Sequence, residues 1–264
     1  KSGVSTLPSP GFLDYERALN CWEGKYNHIS LPISYKYQKP EEFPLTPNSN
    51  VLWITNPHNP TGQLWSKESL EKLLKKYDLI ICDEAFLPLV PNGEKESLIP
   101  LIYEHSNLII IRSLTKLFAI PGLRLGYAIG DPSRLRSWRE IRDPWPLNGL
   151  AIATGTKIMT DTENLQLWIN KIQRWVTKEG AWMHKNLAEV TGIRPIPSTT
   201  NFILIKGESS LKAIREGLRK ALIIVRDCDS FAGLNDSYMR ISLQKRSENK
   251  RIISLLKEIS KENY

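Results

Sequence analysis

Three apolar runs of strand length, at residues 51–55 (VLWIT), 79–82 (LIIC) and 108–111 (LIII), each stop at polar residues and leave the chain few architectures. Runs this short and this apolar read as strands buried on both faces. Between the first two, Ser66 stands at an N-cap position, Glu68 and Ser69 fall in the first turn, and lysines close the stretch, so a helix is expected to about residue 76. Strands alternating with crossovers imply βαβ units and a mainly parallel sheet. Ligands of such sheets collect at the carboxyl ends of the strands. Asn59, Asp83 and Lys116 each lie just past one of these ends.

The segments at those ends have distinct chemistry. Residues 56–62, NPHNPTG, are rigid turn sequence, because two prolines fix φ and Gly62 permits a sharp exit. Lys116 follows the strand at 108 through Arg112-Ser113-Leu114-Thr115, and a second apolar segment at 125–129 comes after Pro121-Gly122. A lysine among apolar residues loses hydration and gives up its proton more easily. The neutral amine is the form that attacks a carbonyl. Ser113 and Arg124 offer a hydroxyl and a guanidinium fork, both suited to phosphate. Taken alone, Lys116 is equally well an ordinary surface lysine beside a turn.

Elsewhere residues 1–11 are Ser/Pro/Gly-rich and read as a loop, 12–22 as a helix, 29–37 as a short strand and 39–50 as a Pro-rich connection. Helices are expected over 134–141 and 151–190, separated by Asp143-Pro144-Trp145-Pro146, and a turn over 192–198. Strands at 201–206, 222–225 and 237–243 around a helix at 209–221 suggest a small α/β unit. In the last strand Tyr238, Arg240 and Ser242 share one face and Met239, Ile241 and Leu243 the other. An arginine in a half-buried strand needs an anion, either a ligand or a structural ion-pair partner. The expected division is 1–150 and 151–264.

Several classes are excluded. No run approaches the roughly 18 apolar residues of a membrane span. Three scattered cysteines, Cys21, Cys82 and Cys228, argue against a disulfide framework and for a reducing, cytoplasmic setting. No Cys or His pair has ligand spacing, so no metal is expected. The net charge of +8 favours anionic partners, but the lysines are dispersed rather than gathered in a basic stripe, which argues for small phosphorylated ligands over nucleic acid. The chain opens at Lys1 in loop-like sequence rather than at Met, and a piece of a longer protein is the expectation.

NPHNPTG, CDEAF, SLTK followed by Arg124 and GYAIG, and YMRIS near the end together resemble the fold-type I pyridoxal-phosphate enzymes. Within these, RSLTKLFAIPGLRLGY, PWPLN and RDCDSFAGLNDSYMRIS resemble the branch of histidinol-phosphate aminotransferases and threonine-phosphate decarboxylases. The resemblance implies a three-layer α/β/α large domain on a mainly parallel sheet, a smaller C-terminal α/β domain, a homodimer and pyridoxal 5′-phosphate as cofactor. It also implies that a segment before the first large-domain helix is missing, and with it groups beneath the cofactor phosphate and an aromatic stacked on the ring.

By position the resemblance implies that Lys116 joins the cofactor aldehyde and later shuttles protons, and that Asp83 pairs with the pyridine nitrogen. Asn59 would bond the ring hydroxyl oxygen, Ser113 and Arg124 the cofactor phosphate, and Arg240 the substrate carboxylate. Arg226 would meet a substrate phosphate. Phe86 stands where many relatives carry a tyrosine, so one hydrogen bond to the ring is absent. The implied activity is decarboxylation of L-threonine O-3-phosphate, as in cobalamin biosynthesis. Transamination of a histidinol-phosphate-type substrate, or a non-catalytic module, remain alternatives.

Overall fold

A computed structural model describes residues 3–35, 40–44 and 49–263. The first part holds β1 (Ser5–Ser9), α1 (Leu13–Cys21), β2 (Tyr26–Ser30), β3 (Val51–Thr55), α2 (Lys67–Glu71), β4 (Leu79–Asp83), β5 (Leu108–Ser113), α3 (Leu114–Leu117) and β6 (Gly126–Gly130). These strands form one sheet in the order β2-β1-β3-β4-β5-β6, parallel except for β6. Helices α4 (Pro132–Glu140), α5 (Gly149–Thr160) and α6 (Thr162–Leu187) follow. The last part holds β7 (Ile193–Pro195), β8 (Phe202–Gly207), α7 (Lys212–Lys220), β9 (Arg226–Asp227), β10 (Tyr238–Ser242) and α8 (Arg246–Asn263), with an antiparallel sheet ordered β7-β8-β10-β9. This is the α/β architecture that the alternating pattern predicts.

The three apolar runs are β3, β4 and β5, and Leu52, Ile54, Ile80, Cys82, Leu108 and Ile110 form one packed face with Trp65, Leu70, Leu73 and Leu74. Alternation along each strand puts those residues on the same side. Burial of each such aliphatic side chain contributes about 1.5–3 kcal/mol. On the other face Trp53 packs against Tyr15 of α1, with ring centroids 5.0 Å apart. A second core joins Met183 and Leu187 of α6 to β8, β10, α7 and α8 through Ile203, Ile205, Met239, Ile214, Leu218 and Leu256.

Several local expectations are corrected. Residues 5–9 are not loop but β1, inside the sheet. Ser5 and Thr6 register with β3, while Pro8 lies beyond that pairing. The Ser5 amide and Ser9 carbonyl bond to the β2 side, so the missing Pro8 amide would have pointed past the end of the β3 ladder and interrupts nothing. β2 lies at Tyr26–Ser30, earlier than the strand expected over 29–37, because it pairs residue for residue with β1; residues 36–37 of that expectation lie outside the described residues. Helix α2 ends at Glu71, and the chain continues in turns with i→i−3 bonds from Leu73, Leu74 and Lys76, which keep Leu70, Leu73 and Leu74 inward. The single helix expected over 151–190 is two, because Asp161 caps α6 through Asn164. A strand, β7, occurs within the expected turn at 192–198. The strand expected at 222–225 falls instead at Arg226–Asp227: Leu222 takes the left-handed conformation at φ 61°, and only after it does the chain reach β10.

Helix α6 spans both sheets. Trp168 Nε1 donates to Leu117 O at 2.9 Å and Gln173 Nε2 to Pro88 O at 3.0 Å, while Glu179 accepts from Arg246 and Asn249 of α8. A second seam lies at Gly62, whose carbonyl accepts from the Thr199 amide at 3.0 Å and hydroxyl at 2.9 Å. Gly62 has φ +76°, and a Cβ there would stand 2.0 Å from Ser198 Oγ, so no larger residue fits. On α4, α5 and the turn between them, Trp138, Ile141, Trp145, Leu150 and Ile152 are exposed.

Behind the strand ends, Glu84 is wholly buried and takes Arg112 Nε and Nη2 at 2.9 and 2.6 Å, the Ser97 hydroxyl at 2.8 Å and the Leu98 amide at 2.8 Å. Arg112 also forks onto Glu94 at 2.8 and 2.9 Å. The network ties residues 84–98 to β5. Arg112→Leu would leave Glu84 buried without its cation, and we expect a loss of about 3–5 kcal/mol in urea unfolding. A loss below about 1 kcal/mol would mean that the pair does not hold the segment.

Candidate functional site

Register assembles the site. Thr55 pairs with Asp83, and Asp83 with Ile111, so β3, β4 and β5 reach their carboxyl ends side by side. The Asn56 amide then bonds to Asp83 O at 2.9 Å and the Glu84 amide to Ile111 O at 2.8 Å. Past the ends stand Asn59, Asp83 with Phe86, and the one-turn helix α3 that carries Lys116.

Asp83 is held by three groups. Tyr15 Oη donates to its Oδ2 at 2.6 Å, the Ala85 amide donates to Oδ1 at 2.9 Å, and the Lys116 charge attracts it. Burial pushes the carboxyl above its ordinary value, and these three pull it back. Tyr15 also meets Thr55 Oγ1 at 3.1 Å, and burial next to Asp83 raises its phenol well above 10. The phenol is therefore a fixed donor.

The Lys116 Nζ donates to Thr115 Oγ1 at 3.0 Å and lies 5.8 Å from the Phe86 ring centroid. Partial burial lowers its pKa; the Asp83 carboxylate opposes that shift, and the Arg124 and Arg240 guanidiniums add to it. Ala119 and Arg124, non-glycine residues at φ 53°, shape the loop after Lys116. Such left-handed conformations cost energy and cluster at functional sites. Arg124 is exposed, with Nη1 donating to Pro121 O at 3.1 Å, and Ser113 Oγ shares a 2.7 Å hydrogen bond with Thr115 Oγ1.

Arg240 Nη1 donates to Asn59 Oδ1, which leaves the amide N–H groups of Asn59 to face a ligand. Among the described residues Arg240 has no carboxylate partner, which removes the structural ion pair as an explanation. Its Cζ lies 4.6 Å from the Phe202 ring centroid, and Phe202 meets Phe86 edge-on at 5.1 Å. Arg226 pairs with Arg240 across the β9–β10 ladder. Asn59, Asp83, Phe86, Lys116, Arg124 and Arg240 thus form one constellation, Arg226 adjoins it through Arg240, and Ser113 adjoins Lys116 through Thr115.

Sequence reasoning missed Tyr15, Thr55 and Phe202. Tyr15 falls three residues after Phe12, and their rings meet edge-on at 5.4 Å. No local pattern in that stretch reveals that β1 ends beside β4's neighbour and aims α1 at Asp83. Among the described residues no group of three His, Cys, Asp or Glu side chains could hold a metal, and no helix is long and apolar enough to cross a membrane.

A lysine whose pKa is lowered, set near a buried carboxylate and flanked by two arginines, suits carbonyl chemistry on an anionic amino compound. The chain belongs to the aminotransferase class I and II family of pyridoxal-phosphate-dependent enzymes, which matches residues 31–256. It is 32% identical over 263 residues to a putative threonine-phosphate decarboxylase of Caldanaerobacter subterraneus subsp. tengcongensis, covering 97% of this chain and 71% of that protein. It is 31% identical over 262 residues to a histidinol-phosphate aminotransferase of Thermoanaerobacter pseudethanolicus, covering 98% and 72%. The fold superposes on the crystal structure of a histidinol-phosphate aminotransferase from Clostridium acetobutylicum with a TM-score of 0.87 at 26% identity, over 98% of this chain and 78% of that one.

The donor set fits the cofactor: Asp83 would accept from a protonated ring nitrogen, Asn59 would donate to the ring oxygen, and the Ser113 hydroxyl and Arg124 guanidinium would be available to its phosphate. The pKa shift of Lys116 can be read directly by reducing the mixture of chain and pyridoxal 5′-phosphate with borohydride and counting modified Lys116 by mass spectrometry. Half-maximal modification should fall below pH 10.5, the ordinary lysine value. In Asp83→Asn it should fall lower still, because the charge that stabilises the ammonium is gone. A midpoint that rises in Asp83→Asn would separate the two groups.

Proposed function

We propose that this chain decarboxylates a phosphorylated α-amino acid, L-threonine O-3-phosphate, with pyridoxal 5′-phosphate. The observation that carries the substrate class is the Arg226–Arg240 cross-strand pair, two cations on one ladder with no carboxylate between them among the described residues. A substrate with a carboxylate and a phosphate answers both. The decarboxylase relative supports the reaction type.

When bound, the cofactor supplies an electron-accepting ring that weakens bonds to the substrate α-carbon. Asp83, whose carboxylate form Tyr15 and the Ala85 amide favour against burial, would hold the proton on the ring nitrogen. Asn59, whose carbonyl accepts from Arg240, would link ring and substrate by donating its amide N–H to the ring oxygen. Arg240, backed by Phe202, orients the substrate carboxylate. In decarboxylation the Cα–carboxylate bond breaks, carbon dioxide leaves, and Lys116 delivers a proton to Cα. In transamination Lys116 removes the α-proton instead. The same residues serve both outcomes, and the aminotransferase relatives favour this second reading.

Supplying O-phospho-L-threonine with cofactor and no keto acid separates them. We expect carbon dioxide release at a rate unchanged by 2-oxoglutarate, and its loss by at least about a thousandfold in Lys116→Ala. Turnover that requires 2-oxoglutarate and yields glutamate would replace the decarboxylase reading.

We also propose that the chain works as a homodimer, on the ground that Trp145, Leu150 and Ile152 stand 86%, 74% and 54% exposed near one another in sequence. Apolar surface of this kind marks contact with another polypeptide. Light scattering should return twice the chain mass of 30.2 kDa, falling to one chain mass when Trp145 and Leu150 are replaced by glutamate. A parent of single mass would refute the assembly.

A further inference from the structure

Arg226 on β9 lies directly opposite Arg240 on β10, so both side chains leave the same face of an antiparallel ladder. Like charges in that relation repel. Among the described residues neither meets a carboxylate: Arg226 Nη2 donates to Ser230 Oγ at 2.8 Å, Arg240 Nη1 donates to Asn59 Oδ1, and the buried Arg240 Nε has no partner there. Burial and the neighbouring Arg226 charge lower the Arg240 pKa.

One ring serves both guanidiniums. The Phe231 centroid lies 6.0 Å from Arg240 Cζ and 5.9 Å from Arg226 Cζ. An aromatic face attracts a cation without offering an oxygen that would neutralise it. The pair is therefore held together and still electrostatically open to a dianion.

The ring is also fixed in place. Phe231 is buried against Ile196, Leu204 and Cys228. Its loop is tied to the end of β1, where Ser9 Oγ donates to Ala232 O at 2.8 Å. Gly233, at φ +83°, lies so close that a Cβ would stand 2.8 Å from Ser9 Oγ. A carboxylate in place of Phe231 would neutralise the arginines from within and cancel their pull on a ligand.

We propose that Phe231 is a specificity-determining residue, its ring setting Arg226 and Arg240 at a spacing that favours a ligand carrying a phosphate over one carrying a carboxylate alone. This rests on the phosphorylated-substrate reading above, but its test uses no turnover. The full chain, saturated with pyridoxal 5′-phosphate so that the cofactor phosphate seat is filled, is titrated with inorganic phosphate by ³¹P NMR and with acetate by ¹H NMR. Phe231→Met keeps an apolar side chain and removes the ring, and Phe231→Tyr keeps the ring.

In Phe231→Met we expect phosphate to bind about tenfold more weakly, from the loss of the ring that holds Arg226 beside Arg240, with acetate changed by less than about twofold, because Arg240 keeps the nearer Phe202 ring. Phe231→Tyr should match the parent for both ions. Where Phe231→Met does not fold, as judged by circular dichroism, Phe231→Leu takes its place. Unchanged phosphate affinity in the ring-less variant, an equal loss of phosphate and acetate, or a parent that binds no phosphate would each overturn the proposal. Carbon dioxide release can fail without touching this result, and phosphate binding indifferent to Phe231 leaves the decarboxylation reading where it stood.

Discussion

Parallel pairing in register is the constraint on which the site depends. Thr55, Asp83 and Ile111 stand abreast across β3, β4 and β5, and Asn59, Phe86 and Lys116 follow within five residues of that line. A slip of one residue in β4 would turn Asp83 to the opposite face of the sheet. Such a slip would also carry Glu84 away from Arg112, a charge buried with its hydrogen-bond partners and costly to move. Glu84 of the ion network and Asp83 are adjacent residues at one strand end, so the first locks the placement of the second.

The site balances opposed shifts. Burial works against charge at both Asp83 and Lys116, and each charge offsets part of that cost for the other. Arg124 and Arg240 push Lys116 toward the neutral amine, while Tyr15 and the Ala85 amide favour the carboxylate form of Asp83. Lys116 is thus biased toward its neutral amine, while at Asp83 the two donors and the Lys116 charge restore part of what burial takes from the carboxylate. Helix α6 carries the support for this arrangement across the molecule, bonded to Leu117 on one side and to α8 on the other.

Much of this was legible in the sequence because burial on both faces leaves continuous apolar runs. β3, β4 and β5 announce themselves that way, and the polar residue past each run marks the site edge. β1 does not, because Ser5, Thr6, Pro8 and Ser9 carry turn chemistry and only pairing on both sides makes the segment a strand. The same limit hid Tyr15, whose importance is a contact over 68 positions. Arg226 was legible as a cation near the site, but its position opposite Arg240 depends on Leu222 turning left-handed before the strand begins. Long-range pairing, rather than local propensity, decided each of these.

A crystal structure of the chain grown with pyridoxal 5′-phosphate tests the central claim most directly. Continuous density should run from Lys116 Nζ to the cofactor aldehyde carbon, with the pyridine nitrogen within about 3.2 Å of an Asp83 oxygen. Density joined to another lysine, or a ring that reaches Lys116 while its nitrogen faces away from Asp83, would contradict it.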